Sequence, residues 1–387
     1  MARVRTSYTK KDEEDPPESR PSASGESGAN GQEPPRERRT LTGKSIIGFA
    51  ERQIDYSQNL LGSRWLSRRT GGFIIAPSGH GKSTLVIQTA ICWSCGRCAF
   101  GIKPWNPLRI LIIQAEDDDN DVTEMAMMRD RLFLTKEETE LVRQNTHVEW
   151  VNDVTGTAFF VALDDFLTQF PADLIFINPY TAYQGGDLRD DELNNKFLRT
   201  DLTRVMNAHK CGAIPVHHTP KTNFQNTDQY SWFDWMYSMA GGASLTNWAR
   251  SILVIAPSEI PGIYRFIAAK RFEKIGWCDR EYWYSHSVED GKILWVPASQ
   301  DQILSAKEAS ALTPTDILCH VPKLDAISQE KFFQLCKEKI RAGEKKIRRF
   351  INILIEEGKA YEWRLTRPGK KSAIGYSQSK QPESEDA

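Results

Sequence analysis

No apolar stretch in this 387-residue chain comes near the roughly 20 residues that a helix needs to cross a bilayer, so a membrane-spanning role is not expected. Net charge is equally scarce. With 50 Lys+Arg against 51 Asp+Glu the balance is −1, which excludes a globally basic nucleic-acid binder and confines any such contact to a local patch. The cysteines at 92, 95, 98, 211, 278, 319 and 336 form no paired framework, and no signal-peptide pattern opens the chain, so reduced thiols in a cytoplasmic protein are the expectation. Cys92, Cys95 and Cys98 are spaced by three without a fourth ligand, and core packing is favoured over zinc. Residues 1–42 have almost no aliphatics among their Pro, Ser, Gly, Glu and Arg, and with 379–387 are expected to be disordered tails.

The densest signal is Ala76-Pro77-Ser78-Gly79-His80-Gly81-Lys82-Ser83-Thr84, between the apolar run 72–75 and the helical run 85–91. Strand, glycine-rich loop and helix together make a P-loop. Gly79 and Gly81 let successive N–H groups turn inward on phosphates, Lys82 reaches the β- and γ-phosphates, and the Ser83 hydroxyl is placed to ligate Mg²⁺. ATP with Mg²⁺ is the expected cofactor set, with Pro77 to Thr84 as its cradle. Ala76 stands where the usual pattern has Gly, which fits provided its φ is negative.

From 72 to 256 short β-rich runs alternate with amphipathic stretches, the pattern of a parallel sheet covered by helices on both faces. The runs are 72–75, 109–114, 148–151, 174–177, 213–216 and 252–255, with further strands at 264–269 and near 282–284. Ligands of such sheets bind at the carboxyl ends of the strands. Glu116, just past the second run, is assigned as the general base that orients the attacking water, the rival reading being an acidic helix cap. Asn178 ends a Walker B-like strand where Asp is usual. Its amide can accept from a Mg²⁺-bound water but brings no charge, so Ser83 and Asn178 are the expected metal-side residues and turnover is in question. His218, in His217-His218-Thr219-Pro220-Lys221, is placed to hydrogen-bond the γ-phosphate. The following loop, 222–239, carries Tyr230, Trp232, Phe233, Trp235 and Tyr237, read either as a base-stacking or subunit surface or as rings folded onto the core.

These segments, with Asn59 to Leu66, Ala115 to Asp118, 241–250 and Ala269-Lys270-Arg271, occur in an order that resembles the RecA-like ATPases of the RepA-type hexameric helicase branch. The resemblance covers about 45–297. It implies ATP-Mg²⁺ at a subunit boundary, a homo-oligomeric ring, hexameric in the family, around single-stranded DNA, and an arginine finger in trans that maps onto Arg250, on a helix beyond the phosphate-facing loops. Lys270 and Arg271 look like further trans contacts to the neighbour's nucleotide.

Beyond 297 the pattern changes to three helices, from Thr313, over 328–339 and over 343–357, followed by two short β runs, 360–365 and 373–376. Helix, helix, helix, hairpin is a winged-helix pattern. Residues 344–371 hold nine Lys or Arg against four Glu, so Lys345, Lys346, Arg348, Arg349 and the wing are candidates for duplex DNA, and a protein-contact module is the equal alternative. The fold expected is thus α/β, a RecA-like P-loop NTPase with a parallel-sheet core over 43–300 and a small winged-helix domain over 308–378. The function expected is an ATP-hydrolysing motor on DNA in replication, a helicase of a plasmid, phage or mobile element, with a loader or primase as a candidate partner. The alternative is a nucleotide-gated DNA-binding scaffold with weak or absent hydrolysis.

Overall fold

A computed structural model of the chain describes residues 43–219, 230–239, 243–340, 342–367 and 370–382. The tail expected over 1–42 lies outside them, as do Pro220, Lys221, residues 222–229 of the aromatic loop, Gly241, Gly242 and the wing tip at 368–369. The chain divides into two units, 1–54 and 55–387. The described part of the first contains one helix, Ile46–Ala50, capped by the Ser45 hydroxyl, which accepts from Gly48 N at 3.0 Å.

The second unit is built on a nine-stranded sheet. Its strands are β1 (Gly72–Ala76), β2 (Ile110–Gln114), β3 (Thr146–Trp150), β4 (Leu174–Asn178), β5 (Gly212–His218), β6 (Ser251–Pro257), β7 (Ile263–Lys270), β8 (Glu281–Glu289) and β9 (Lys292–Pro297). In space they run β9-β8-β7-β6-β1-β5-β4-β2-β3. The six from β6 to β3 are mutually parallel, and β7 to β9 continue the sheet as an antiparallel ribbon. This order, with the loop-bearing strand between β6 and β5, is that of a RecA-like P-loop fold.

The central strands are apolar at nearly every position because both faces are covered. Ile74, Ile110, Ile112 and Phe176 face one core, under α1 (Lys82–Ser94). Phe73, Ile75, Leu111, Ile113 and Ile177 face the other, under α4 (Gly156–Gln169). Between them in sequence come α2 (Asp119–Ala126) and α3 (Lys136–Asn145). The chain then adds α5 (Thr203–His209), α6 (Trp232–Met236) and α7 (Ala243–Trp248). The eight expected strands are present with ends shifted by a few residues. The ninth was not expected, because its outward Lys292 and Ile293 give a short, interrupted pattern.

Core packing holds for two of the three cysteines: Cys92, on the P-loop helix, and Cys95, its C-cap, are buried, whereas Cys98 is exposed. In the polar stretch 184–191, Gln184 is buried and accepts from Gly186 N at 2.8 Å.

The C-terminal part has α8 (Gln300–Ala311), α9 (Pro314–Leu318), β10 (Ile327–Ser328), α10 (Gln329–Ile340), α11 (Glu344–Glu356), β11 (Tyr361–Arg367) and β12 (Lys370–Ser377), with its strands ordered β10-β12-β11, antiparallel. Helix α8 was missed. It occupies the interval left between the two expected domains and starts on a capping box formed by Ser299 and Gln302. Ile317, Phe332, Ile347, Phe350, Ile351, Leu354 and Tyr376 make a separate core. Trp363 Nε1 donates to Ser379 O at 2.7 Å, and Arg364 N to Gln381 Oε1 at 2.9 Å, so ordered contacts continue past 378.

One of the basic residues read as a DNA contact is corrected here. Lys346 is buried, and its ammonium donates to Ala309 O at 2.6 Å and Ser310 O at 3.1 Å, capping the C-terminus of α8. It sits beside Ile347 and Phe350 on the inward stripe of α11, so helical phase removes it from the surface. Arg348 pairs with Glu344 at 3.2 Å and lies over the Phe333 ring.

Candidate active site

The loop 76–84 leaves the C-terminal end of β1, where the strand order reverses direction. Ala76 is fully buried and is absent from the left-handed residues, so its methyl fits. Gly79 (φ 76°) and Gly81 (φ 70°) take the conformation that bends the backbone inward. Gly81 has a second reason: a Cβ there would lie 2.9 Å from the Trp295 ring and 3.0 Å from His286 Nε2. Gly81 is also the N-cap of α1, and no side chain caps that helix. The first N–H groups of a 13-residue helix thus stand free of side-chain acceptors, with the positive end of the helix dipole behind them.

Around this cradle the polar side chains converge. Lys82 is buried and donates to Pro77 O at 2.8 Å and Ala76 O at 3.3 Å. Burial brings its ammonium down to about 8, partly opposed by the carboxylate of Glu116. Glu116 itself is exposed, in the bend after β2. His217 is fully buried between Phe73 and Tyr180, whereas His218 faces the loop. Burial, then the charge of Lys82, pushes the His218 imidazole down to about 4, so the ring is neutral at pH 7. His218 Nδ1 and Thr219 Oγ1 are buried without a hydrogen-bond partner among the described residues, while Thr219 N donates to Ala76 O at 3.2 Å. Buried polar atoms are nearly always paired, so two orphans beside an uncapped helix end fit a ligand rich in acceptors. His80, with Nδ1 2.8 Å from Ser78 O, packs edge-on to Tyr264, and burial with the charges of Lys82 and Lys345 lowers its pKa.

The metal side contains a feature the sequence reading missed. The Asn178 Nδ2 group donates to Ser83 Oγ at 3.1 Å and to Gln114 Oε1 at 2.7 Å, and Gln114 Nε2 in turn donates to the Asp117 carboxylate. An ionised carboxylate can only accept, so Asp117 fixes the direction of the whole relay. It turns the Gln114 amide, which turns the Asn178 amide so that its N–H, and not its oxygen, faces Ser83. The expected role of Asn178 as an acceptor toward Mg²⁺-bound water is therefore not the geometry seen on that side. Ser83 Oγ keeps one lone pair for a cation, and the nearest relay charge is on Asp117. The next acid, Asp118, caps α2 by accepting from Asn120 N and Asp121 N, in a capping box with Asp121.

The remaining three assigned residues lie elsewhere. Arg250 is in the bend after α7, not on a helix, and its N donates to Gly71 O at 2.8 Å. It precedes β6, whose Ser251 pairs with Gly72, so it stands at the amino end of the parallel strands, a strand length of about 15 Å from the P-loop. Lys270 and Arg271 end β7 at the same edge. Lys270 donates to Ala249 O at 3.0 Å and to Thr246 O, closing the end of α7, and Arg271 donates to Arg64 O at 3.0 Å. The aromatic loop is divided. Trp235 is buried and Tyr230 is partly buried against the core, while Trp232, Phe233 and Tyr237 are exposed on and beside α6.

No curated protein matches this chain. Among solved structures it resembles an ATPase domain at 12% identity and a TM-score of 0.41, over 59% of this chain and 84% of that one. No described helix is long and apolar enough to cross a membrane. Residues 34–223, which contain the loop, the relay and His218, match the model of a family described as an AAA domain, so the chain carries a P-loop ATPase domain.

Proposed function

We propose that this protein is a cytoplasmic ATP-hydrolysing motor of RecA-like architecture that works on DNA in the replication of a plasmid, phage or similar element, in a RepA-like ring of identical subunits. The observation that carries this reading is the separation of two half-sites. The uncapped end of α1, with Lys82, His218 and Thr219, suits the phosphates of ATP, while Arg250 and Arg271 stand at the far edge of the sheet, out of reach of it. Cations so placed can stabilise transition-state charge only on a neighbour's nucleotide.

In this reading the N–H groups of Gly79 to Thr84 hold the phosphates and Lys82 follows the charge that develops on the transferred group. Neutral His218 donates a hydrogen bond to the γ-phosphate. Glu116, exposed and close enough to Lys82 to act on its charge, orients water for in-line attack and takes its proton. Mg²⁺ would be held by Ser83, through the relay that starts at Asp117, and when bound would neutralise phosphate charge and orient the leaving oxygen. The exposed rings of Trp232, Phe233 and Tyr237 suit single-stranded DNA. The C-terminal part reads as a winged helix, with α11 and the β11–β12 hairpin toward duplex DNA or toward a loader or primase.

The test is steady-state ATP hydrolysis with and without single-stranded DNA. Stimulation supports the motor. A second reading, a nucleotide-gated scaffold, is favoured by Asn178, since no carboxylate ends β4; ATP-dependent assembly on DNA with no stimulated turnover would establish it instead.

A further inference from the structure

At the amino edge of the sheet, a strand length from the P-loop, lies a cleft of about 510 Å³ lined by Ser57, Gln58, Arg68, Arg69, Arg109, His209 and Lys210. Four of these are permanent cations, and the buried acid among them is shared. Asp173 pairs with Arg68 at 2.7 Å and with Arg109 at 3.3 Å, while Arg68 also donates to Lys210 O at 3.0 Å. His209 is taken by Asp164 at 2.9 Å. Arg69 and Lys210 are left exposed, with no ion pair among the described residues.

Both are held in left-handed backbone conformations, Arg69 at φ 62° and Lys210 at φ 54°, which cost a long side chain about 1 kcal/mol or more each. Arg69 N donates at 2.7 Å to the carbonyl oxygen of Cys211, the residue between Lys210 and the start of β5. Lys210 is also the C-cap of α5, where this conformation is common, but Arg69 caps no helix. Beside the cleft, next in sequence to Ser57, Tyr56 stacks on Trp105 with centroids 5.4 Å apart and planes within 14°. The two residues are 46% and 50% exposed.

We infer that this edge is a second nucleic-acid site, distinct from the ring lumen, which holds the phosphates of a single-stranded polynucleotide on Arg69, Lys210, Arg68 and Arg109 and stacks a base on the Tyr56–Trp105 pair. A free phosphate would need the cations alone. The half-exposed stacked rings, one of them next in sequence to Ser57 of the cleft, favour a ligand that carries bases along a charged backbone.

The site is read without nucleotide, so it stands or falls separately from hydrolysis. Full-length protein is titrated into a fluorescein-labelled oligothymidylate, with anisotropy followed between 50 and 200 mM salt. Arg69→Asn/Lys210→Asn removes both unpaired charges with a residue that tolerates the left-handed region. At about 0.7 per phosphate contact on single strands, this double change should lower the salt slope by about 1.4. Tyr56→Ala and Trp105→Ala should each weaken binding on the order of tenfold with the slope unchanged. A 5-iodouracil strand should photocrosslink to Tyr56 or Trp105 in the wild type. An unchanged slope in the double variant with an unchanged melting temperature, or crosslinks confined to the α6 aromatics, overturns the site. Competition by inorganic phosphate or polyglutamate as strong as that by the oligonucleotide would overturn the assignment to a polynucleotide.

Discussion

The two edges of the central sheet carry opposite chemistry. At the carboxyl edge the polar groups are few and mostly neutral or anionic: His218 uncharged, Asp117 directing a relay of amides, Glu116 exposed in a bend, and Lys82 as the buried cation held among backbone carbonyls. At the amino edge cations dominate, from Arg250, Lys270 and Arg271 to Arg68, Arg69 and Lys210, and most are exposed or tied to carbonyls. Parallel strands place loop N–H groups and a helix start at one end and chain entries at the other, so an anion cradle and a cation-rich edge can share a scaffold without cancelling. In the proposed ring, a subunit with its phosphate site on one edge and its spare cations on the other would be completed by its neighbour.

The largest effect should come from emptying the carboxyl edge of its cation. Lys82→Ala is expected to abolish measurable ATP binding by calorimetry while the circular dichroism and melting temperature stay near wild type. Equal affinity in both proteins would mean that the loop is only a turn. Next, Glu116→Gln should keep binding and lower kcat by about 10²–10⁴-fold, as for a lost general base, read in single-turnover hydrolysis.

A smaller and graded effect follows from pH. Because burial lowers Lys82 to about 8 in the free protein, and bound phosphate must raise it again, binding draws on the protonated form. Affinity is then full below about 8 and weakens as pH rises through that value, by up to about tenfold per unit. A flat profile between pH 7 and 9.5 in the wild-type protein would contradict the burial seen here.

The smallest effect sharpens the metal side. Asn178→Asp alone should gain little, because a carboxylate there takes the Gln114 N–H groups and turns Gln114 Oε1 toward Asp117, two acceptors face to face. Paired with Asp117→Asn, the same change should lower the Mg²⁺ concentration for half-maximal nucleotide binding by several-fold. If Asn178→Asp alone does as well, the relay does not set the direction of the amides.

How much of this was legible follows from range along the chain. The P-loop, Lys82 and Ser83 are contiguous, and the glycines that bend the loop are inside the motif that announces it. The strands at 72, 110, 174 and 252 were legible because strands buried on both faces show as unbroken apolar runs. The relay was not, since Gln114 meets Asn178 only through the register of β2 on β4, a pairing across 64 residues. Lys346 was misread because composition counts its charge while helical phase decides its burial. The Tyr56–Trp105 pair joins two loops 49 residues apart and left no periodic trace in either.

The separation of the two edges is tested most directly by mixing subunits. Arg250→Ala protein keeps its own P-loop and lacks the cation it offers a neighbour, and Lys82→Ala protein has the reverse defect. Each is expected to be inactive alone. Mixed and shown to co-assemble, they should recover part of the wild-type ATPase rate, because some boundaries then pair an intact Lys82 with an intact Arg250. Co-assembled mixtures that stay inactive at every ratio, or Arg250→Ala protein that hydrolyses ATP at the wild-type rate by itself, would contradict the account.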